Sequence, residues 1–350
     1  MQQFGVGLAG LGNVGTGVYK HLTQNRALLR ERLGFEIEVK KVAVRNRGKE
    51  RGIAVPDAQL TTNWCDLIED PAIQIVVELM GAKDESLALM LEALARKKIV
   101  VTGNKALLAE RGKEIFEAAF ANKVPVFFEA AVAGGIPIIK AIREGFIANH
   151  IQSIHGIING TSNYILTRMS ESRLSFAEAL LEAQRAGYAE ADPSLDINGG
   201  DAAHKAIILA SLAYGFWVPP QNVFVEGIEQ VTVNDIAFAE RLGYRIKLLG
   251  IIKADAETGG EIEVRVHPTL IPERHVLASV SHVFNALAVK GDVVGETLFY
   301  GRGAGQDATA SAVISDIVEA ADALQSPRRN LGFMPHGLYG TCKPIEQIVS

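Results

Sequence analysis

The segment between Gly187 and Lys205 combines four carboxylates and a lysine in a predicted loop and the first turn of a predicted helix. It reads Gly-Tyr-Ala-Glu-Ala-Asp-Pro-Ser-Leu-Asp-Ile-Asn-Gly-Gly-Asp-Ala-Ala-His-Lys, with its carboxylates on Glu190, Asp192, Asp196 and Asp201. Opposite charges at this density, beside apolar sequence, indicate a site that binds a polar substrate.

The helix predicted from Asp201 onward places an acid and a base on an apolar face. Residues advance by about 100° along a helix, so Asp201 and Lys205 share a face with Ile208, Leu209 and Leu212. Acid–base pairs four residues apart usually lie on the solvent side and contribute only about 0.2–0.5 kcal/mol. Partial desolvation can instead tune a lysine for proton transfer. We expect Lys205 to transfer a proton beside Asp201; a structural ion pair is the alternative.

A calcium loop is the other interpretation of the acidic segment. Asp192, Ser194 and Asp196 have the 1, 3, 5 spacing of an EF-hand loop. The glycine that such a loop requires at position 6 is Ile197, and the glutamate at position 12 is Ala203. The pattern therefore excludes an EF-hand.

Composition narrows the class of protein. A chain of 350 residues that is 48% hydrophobic and 21% charged is long enough for two globular domains. A net charge of −5 argues against nucleic acid as a partner. Cys65 and Cys342 are too few for a disulfide framework, and neither a signal peptide nor a membrane-spanning run is found. We expect a cytoplasmic protein that acts on small molecules.

The first 44 residues predict a dinucleotide-binding βαβ unit. An apolar run at residues 4–9 precedes Gly10-Leu-Gly12-Asn-Val-Gly15, and a helix and a strand at Ile37–Val44 follow. In this order Gly10 permits a tight turn, Gly12 lets a pyrophosphate approach, and Gly15 lets helix and strand pack closely.

Strands and helices continue to alternate, which predicts an α/β fold with a Rossmann-type doubly wound parallel sheet. The predicted elements are a helix to about Arg32, strands at Ile73–Leu79, Ile99–Thr102 and Val124–Glu129, and helices at about Ser86–Lys97 and Ala106–Asn122. Ligands bind beyond the carboxyl ends of such strands. Lys105, after one strand end, is thus directed toward the cofactor crevice, since a merely solvated cation is unfavourable at a helix N-terminus.

A second, α+β domain for substrate binding, catalysis and dimerisation is predicted after residue 135. Its strands are expected at Ile151–Ile158, Ile246–Lys253, Glu261–His267 and around Ala278–Lys290, with a helix from Asn163 onward. The turn Gly301-Arg-Gly-Ala-Gly305, with a helix at Asp307–Ala323, either returns the chain to the first domain or forms a surface loop. The predicted domains are 1–135, completed by 305–325, and 136–304, with a tail at 326–350.

The cofactor preference is predicted from the end of the second strand. Ala43-Val-Arg45-Asn-Arg47 has no carboxylate to accept a ribose 2′-hydroxyl, and arginine suits a 2′-phosphate. NADP is expected to bind at least as well as NAD, through Arg45 first and Arg47 second.

Seven segments together resemble the homoserine dehydrogenase family, which interconverts aspartate 4-semialdehyde and homoserine. The resemblance covers most of residues 4–320 in family order, and its most specific part is Gly187–Lys205. The segments are Gly10–Gly15, Val77–Gly81, Val101–Ala109, Glu129–Pro137, Asn159–Tyr164, Gly187–Lys205 and Gly301–Ala312.

The resemblance implies roles for individual residues and for ligands. Three catalytic residues are implied: Lys205 as the proton-transfer lysine, Asp201 as the acid beside it, and Lys105 at the boundary between cofactor and substrate. Substrate binding is expected at Glu190, Asp196, Gly160 and Thr161. NADP or NAD binding is implied for Gly10, Gly12, Asn13, Val14, Gly15, Arg45, Arg47, Thr102, Asn104, Lys105, Gly303 and Gly305. A monovalent cation such as Na⁺ is implied at the carbonyls of Glu129, Val132, Gly134 and Ile136. The resemblance also implies a homodimer and a place in threonine, methionine and isoleucine biosynthesis.

The sequence departs from the family pattern in two places, and two other functions are weighed against it. Many members carry a C-terminal ACT regulatory domain, and this sequence ends soon after its last motif, so we expect a short form without cooperative threonine inhibition. Gln306-Asp307 replaces a more apolar sequence. A phosphorylating semialdehyde dehydrogenase needs a nucleophilic cysteine, which neither Cys65 nor Cys342 suits. A dinucleotide-sensing regulatory module would not need Glu190, Asp201 and Lys205 together.

Overall fold

Two β-sheets organise the chain, in a computed structural model that describes residues 2–254, 260–325 and 339–348. Within these residues the chain divides into two compact units. The first unit contains residues 2–137 and 304–325, and the second contains 138–254, 260–303 and 339–348. Most of the predicted tail, including residues 326–338, lies outside the described residues.

The sheet of the first unit has six parallel strands in the order β3-β2-β1-β4-β5-β6. They are β1 (Gln3–Ala9), β2 (Glu36–Ala43), β3 (Leu60–Thr61), β4 (Ile75–Glu78), β5 (Ile99–Thr102) and β6 (Val126–Phe127). This confirms the predicted Rossmann-type doubly wound sheet. The strand order reverses between β1 and β4, and such a reversal opens a ligand crevice beyond the carboxyl ends of the strands.

The sheet of the second unit is mixed, as predicted. Its path is β12-β11-β7-β9-β10-β13, antiparallel except that β13 and β8 pair with β10 in parallel. The strands are β7 (Ile151–Ile157), β8 (Phe224–Val225), β9 (Tyr244–Ala254), β10 (Glu261–Pro272), β11 (Phe284–Gly291), β12 (Gly295–Arg302) and β13 (Thr341–Cys342).

Helices surround both sheets. In the first unit they are α1 (Asn13–Gln24), α2 (Arg26–Leu33), α3 (Cys65–Glu69), α4 (Asp84–Ala95), α5 (Lys105–Asn122) and α12 (Gln306–Gln325). In the second they are α6 (Ile138–Lys140), α7 (Gly160–Ser172), α8 (Phe176–Arg185), α9 (Ser194–Ile197), α10 (Gly200–Tyr214) and α11 (Val233–Arg241). Short 3-10 turns occupy Asp57–Gln59, Glu129–Ala131, Pro220–Asn222, Val276–Ser279 and Ile345–Gln347, and a π-turn occupies Ala141–Gly145. No helix in the described part of the chain is both long and apolar enough to cross a membrane.

Helix α12 packs against α1 inside the first unit. A Cβ added to Gly17 would lie 2.9 Å from the Cβ of Ala310, so glycine allows the two helices to approach closely. The packed face of α12 repeats at helical spacing through the fully buried residues Ala310, Val313, Ile317 and Ala320. The nucleotide-type unit is therefore completed by a segment far along the sequence.

Helix α10 packs against β9 and β10 in the second unit. Ala202, Ala203 and Ala206 are buried together with Ile208 and Leu209, so almost the whole circumference is apolar and covered. Leu212, predicted to share the buried face, is only partly buried. Lys205 is thus buried on more sides than the predicted apolar stripe would bury it.

Several sequence-based elements differ from the structure, three of them for a clear local reason. The helix predicted to about Arg32 is two helices, because Asn25 leaves the helical conformation (φ −96°, ψ 14°). The strand predicted around Ala278–Lys290 is wrong in its first part, which is a 3-10 turn whose Leu277 N–H is capped by the His275 ring. The strand predicted at Val124–Glu129 is shorter, since Phe128 leaves the extended conformation.

Candidate active site

The first glycine turn has the backbone geometry that its sequence predicts. Gly10 has φ +98°, and a Cβ there would lie 2.4 Å from the carbonyl oxygen of Leu79. A Cβ on Gly15 would lie 2.2 Å from the carbonyl oxygen of Gly10. Gly12, in contrast, faces open space, with no described atom within 4 Å of its ideal Cβ. The fold therefore requires Gly10 and Gly15, whereas Gly12 leaves room for a ligand.

The start of α1 supplies hydrogen-bond donors beside that space. Gly12 is the N-cap and contributes no side chain, so no side chain caps the first turn through Asn13 and Val14. Unsatisfied N–H groups and the positive end of the helix dipole bind anions such as a pyrophosphate. The turn therefore fits the phosphate groups of a dinucleotide.

A fully buried carboxylate, Glu78, organises the carboxyl ends of β4 and β5. Its side chain accepts hydrogen bonds from the Met80 N–H at 2.9 Å, the Ser86 hydroxyl at 2.7 Å and the Thr102 hydroxyl at 2.7 Å. The Thr102 hydroxyl oxygen in turn accepts from the Asn104 N–H at 3.0 Å. The Thr102 side chain is thus occupied inside the protein, which leaves its backbone for any cofactor contact.

The residues at the start of α5 lie at this strand edge. Asn104 caps the helix by accepting a hydrogen bond from the Leu107 N–H at 3.2 Å. Lys105 is the first residue of the helix and is half-buried. A cation here opposes the helix dipole, so its position calls for an anionic or strongly polar partner.

The two arginines after β2 have different settings. Arg45 is 80% exposed in its side chain, and its guanidinium lies 3.5 Å from the Glu85 carboxylate. Arg47 donates to the Asp57 carbonyl at 2.8 Å. Arg47 is therefore the more engaged of the two, and the contact of either with a phosphate stays a prediction.

The predicted cation turn has unusual backbone. Glu129 begins a 3-10 turn and is buried, and its N–H donates to the Asp316 carboxylate at 2.8 Å. Ala133 (φ 53°) and Gly134 (φ 40°) follow in consecutive left-handed conformations. Within the turn, the Glu129 carbonyl accepts a hydrogen bond from the Val132 N–H at 3.4 Å, and the Ala133 carbonyl accepts one from the Ile136 N–H at 2.9 Å. Carbonyl oxygens are also the ligands that hard cations take. The turn at Glu129, Val132, Gly134 and Ile136 thus fits a small cation in the chemistry of its donors.

The second unit contains the buried acid–base pair. The Lys205 ammonium donates to Asp201 Oδ2 at 2.6 Å and to the Ile158 carbonyl at 2.7 Å. Lys205 is 9% exposed and Asp201 is 5% exposed. Buried charges persist where they are paired and hydrogen-bonded, so this pair holds a proton in a defined place.

Asn159 connects this pair to the acidic loop, and sequence reasoning missed it. Its Nδ2 donates to Asp201 Oδ2 at 2.8 Å and to Asp196 Oδ1 at 2.7 Å. Its Oδ1 accepts from the Ser162 N–H at 2.7 Å, which caps α7. The buried Asn159 amide therefore holds two carboxylates in position and caps the first turn of α7. An asparagine immediately before Gly-Thr-Ser is an N-cap signal that could have indicated this residue.

The residues expected to bind substrate are the more accessible ones. Gly160 and Thr161 open α7 and are partly buried, and the Thr161 hydroxyl donates to the Tyr188 carbonyl at 2.8 Å. Asp196 is partly buried, whereas Glu190 is exposed. The structure thus brings Asp196, Asp201 and Lys205 into one network through Asn159 and leaves Glu190 outside it.

The last two residues expected to bind the cofactor, Gly303 and Gly305, are glycines for different structural reasons. A Cβ on Gly303 would overlap Asn285 Oδ1 at 1.2 Å, so the fold alone explains this glycine. Gly305 has φ +121° and opens the turn into α12. The expected roles of the individual site residues stay predictions.

Comparison with known proteins gives the same family for both units. The sequence profile described as "Homoserine dehydrogenase, NAD binding domain" matches residues 10–129, and the profile described as "Homoserine dehydrogenase" matches residues 137–318. Homoserine dehydrogenase from Synechocystis is 48% identical over 99% of this chain and 81% of its own length. That from Neisseria gonorrhoeae is 46% identical over 100% of this chain and 81% of its own length.

Solved structures agree. A homoserine dehydrogenase from Thiobacillus denitrificans superposes with a TM-score of 0.92 at 48% identity, covering 99% of this chain and 81% of that one. A hyperthermophilic archaeal homoserine dehydrogenase in complex with NADPH has a TM-score of 0.79 at 27% identity, covering 94% of this chain and 100% of that one. With both profiles and these relatives in agreement, the chain belongs to the homoserine dehydrogenase family, whose members are nicotinamide-dependent oxidoreductases.

Proposed function

We propose that the protein catalyses the reversible, NAD(P)-dependent interconversion of aspartate 4-semialdehyde and L-homoserine. The observation that carries this is the buried Lys205–Asp201 pair, which lies within residues 137–318, the part of the chain matched by the homoserine dehydrogenase profile. A dinucleotide-sensing module without catalysis is not supported, because the match extends through residues 137–318 and is not confined to the glycine turn.

Lys205 is the proton donor in the direction of aldehyde reduction. An ammonium has three N–H groups, and two of those on Lys205 are engaged by Asp201 and the Ile158 carbonyl. The third can donate to the substrate oxygen as negative charge develops there, which is general acid catalysis. Asp201 keeps the ammonium oriented, and Asn159 keeps Asp201 oriented.

The remaining polar groups of the second unit bind the amino acid. Glu190 is exposed and carries the negative charge that a substrate ammonium requires. Asp196 is held by Asn159 at 2.7 Å and suits the hydroxyl end of homoserine. Backbone groups at Gly160 and Thr161, at the start of α7, suit the substrate carboxylate because a helix N-terminus favours anions.

The first unit holds the cofactor, which supplies or accepts the hydride. Gly10, Gly12 and Gly15 form the turn, and the first N–H groups of α1 bind the pyrophosphate. We propose NADP as the preferred form, because Arg45 is exposed where a 2′-phosphate would bind. Lys105 and Asn104, at the ends of the strands, orient the nicotinamide. A monovalent cation such as Na⁺ at the Glu129–Ile136 turn would order its carbonyls.

Dimerisation and cellular context belong to the same proposal. The edge strand β12 and its hairpin expose Val293, Val294, Leu298 and Tyr300, an apolar surface that suits a second copy of this chain. Cys65 and Cys342 are both free thiols, which agrees with a reducing cytoplasm. The reaction would serve threonine, methionine and isoleucine biosynthesis.

The decisive experiment is incubation with homoserine and NADP, followed at the absorbance band of reduced nicotinamide. We expect reduction with wild type and loss of it in Gly12→Ala, where the added methyl group enters the space left for the cofactor without touching the fold. Gly15→Ala is the comparison variant that should misfold, because its methyl group would collide with the Gly10 carbonyl. Gly12→Ala, in contrast, should lose activity while remaining folded. Absence of homoserine-dependent reduction with both NADP and NAD would overturn the proposal.

A further inference from the structure

A cavity of about 410 Å³ lies inside the second unit, and the proposed reaction does not use it. It is lined by the second half of α7, by α11, by the start of β9 and by the segment before β11. Volumes of this size hold small-molecule ligands in other proteins. Its walls are mainly polar, which points to a charged occupant rather than an apolar one.

Lys247 forms part of the wall of this cavity and is 5% exposed. Its ammonium donates to the Val280 carbonyl at 2.5 Å and to Asn163 Oδ1 at 3.2 Å. Ser279 and Ser281, on either side of Val280, both line the cavity. The ammonium is thus held at the cavity wall by the same short segment that carries two hydroxyl groups.

This ammonium has no counter-ion among the described residues: neither of its hydrogen-bond partners is charged, and none of the ion pairs there includes it. The nearby Arg245, by comparison, pairs with Glu240 at 2.6 Å and with Glu273 at 3.0 Å. Burial, followed by the charge of Arg245, lowers the pKa of Lys247 to about 8. A buried cation without a paired anion is costly, and an anion bound in the cavity would remove that cost.

The other charges of the cavity restrict what the anion can be. Glu171, Glu240 and Glu273 also line it, and Glu171 is near enough that its charge raises the pKa of Lys247. Glu171 itself is paired only loosely, with Arg168 at 3.5 Å and with the His282 ring at 3.8 Å. A dianion would be repelled by these carboxylates, whereas a ligand with one carboxylate and one ammonium satisfies both ends.

We propose that this cavity is a second ligand site, which binds a small zwitterion through a carboxylate on Lys247, with Ser279 and Ser281, and an ammonium toward Glu171. The site is separate from Lys205 and Asp201 in its lining residues. It needs no step of the dehydrogenase reaction, so its test does not depend on turnover.

The test uses calorimetric titration of the full chain with three probes of similar length: 4-aminobutyrate, butyrate and butylamine. The titrations are repeated on Lys205→Met, so that any heat from probe binding at the active site is recognised. We expect 4-aminobutyrate to bind most tightly, butyrate more weakly and butylamine not at all. Butylamine binding as tightly as 4-aminobutyrate, or no heat from any probe at millimolar concentration, would overturn the proposal without any variant.

Variants then locate the site. Lys247→Met should weaken 4-aminobutyrate binding about 10–100-fold, the effect of losing a charge-assisted hydrogen bond. Lys98→Met is the matched control, because Lys98 is also buried and donates to two carbonyls, of Asp70 and Ile73, but lies in the first unit. It should leave binding unchanged, as should Lys205→Met. Equal affinity of Lys247→Met and wild type for 4-aminobutyrate would show that Lys247 has only a structural role.

Discussion

The ammonium of Lys205 lies 2.6 Å from Asp201, one helical turn away on the same buried helix. The same carboxylate oxygen also accepts a hydrogen bond from the Asn159 side chain. Asp201 therefore keeps one hydrogen bond if the lysine is removed. This bond limits the loss of stability, so turnover of a Lys205 variant can be measured on folded protein.

Lys205→Met should lower kcat by about 10²–10⁴, the range for loss of a general acid, while NADP affinity stays near wild type. Methionine fills similar volume, and the variant should also lose stability because Asp201 stays buried without its cation. Stopped-flow turnover per folded molecule and urea unfolding measure the two effects. A destabilised variant with normal turnover per folded molecule would refute the catalytic role.

Arg45→Ala should weaken NADP binding about tenfold and leave NAD binding unchanged, since a charge-assisted contact to the 2′-phosphate is lost. Arg47→Ala should have a smaller effect, because its guanidinium is already bonded to the Asp57 carbonyl. Fluorescence titration with NADPH and NADH measures both. Tighter NAD than NADP binding by wild type, unaltered in Arg45→Ala, would contradict the assignment.

Glu78→Gln should weaken NADPH binding severalfold, because an amide can no longer accept from the Met80 N–H and from both hydroxyls of Ser86 and Thr102 at once. A stability loss of about 1–3 kcal/mol should accompany it. Glu92→Gln, in helix α4, is the control, because its carboxylate pairs with the exposed Arg96 and not with a residue expected to bind the cofactor. If stability falls while NADPH affinity stays at the wild-type value, Glu78 supports only the fold.

Acid should destabilise the protein partly through His155. Burial, and then the charge of Lys253, lowers the pKa of His155 to about 4 from the 6.5 of an unfolded chain. The unfolded state therefore binds more protons between these values, so the stability contribution is complete above pH 6.5 and is lost as pH falls toward 4, by up to about 2–3 kcal/mol. Urea unfolding of wild type and His155→Gln at several pH values measures it. Parallel pH profiles would show that His155 does not contribute.

The features that the sequence predicted are local ones: regular strands and helices, and a single glycine turn. Apolar runs that alternate with helices identified five of the six parallel strands of the first unit, all except β3. The spacing of Gly10, Gly12 and Gly15 predicted a turn that the structure contains. The helix with Asp201 and Lys205 was also predicted, because an i, i+4 pair is a local property.

What sequence reasoning missed depends on contacts between distant segments. Asn159 acquires its role only when Asp196 and Asp201 fold onto it, from 37 and 42 residues away. Strand β12 was passed over because its end, Gly301-Arg302, was assigned to a glycine turn, although Thr297–Tyr300 has the composition of a strand. Local propensity does not show which partner a segment will meet.

The packing of α12 on α1 has a consequence for synthesis at the ribosome. Gly17 is made early, and the helix that covers it, through Ala310, only after the whole intervening unit has emerged. Domains tend to fold as units during synthesis, with N-terminal ones first. Until α12 is made, the N-terminal unit has one apolar helix face uncovered, so we expect the nascent chain to expose apolar surface that the finished protein buries.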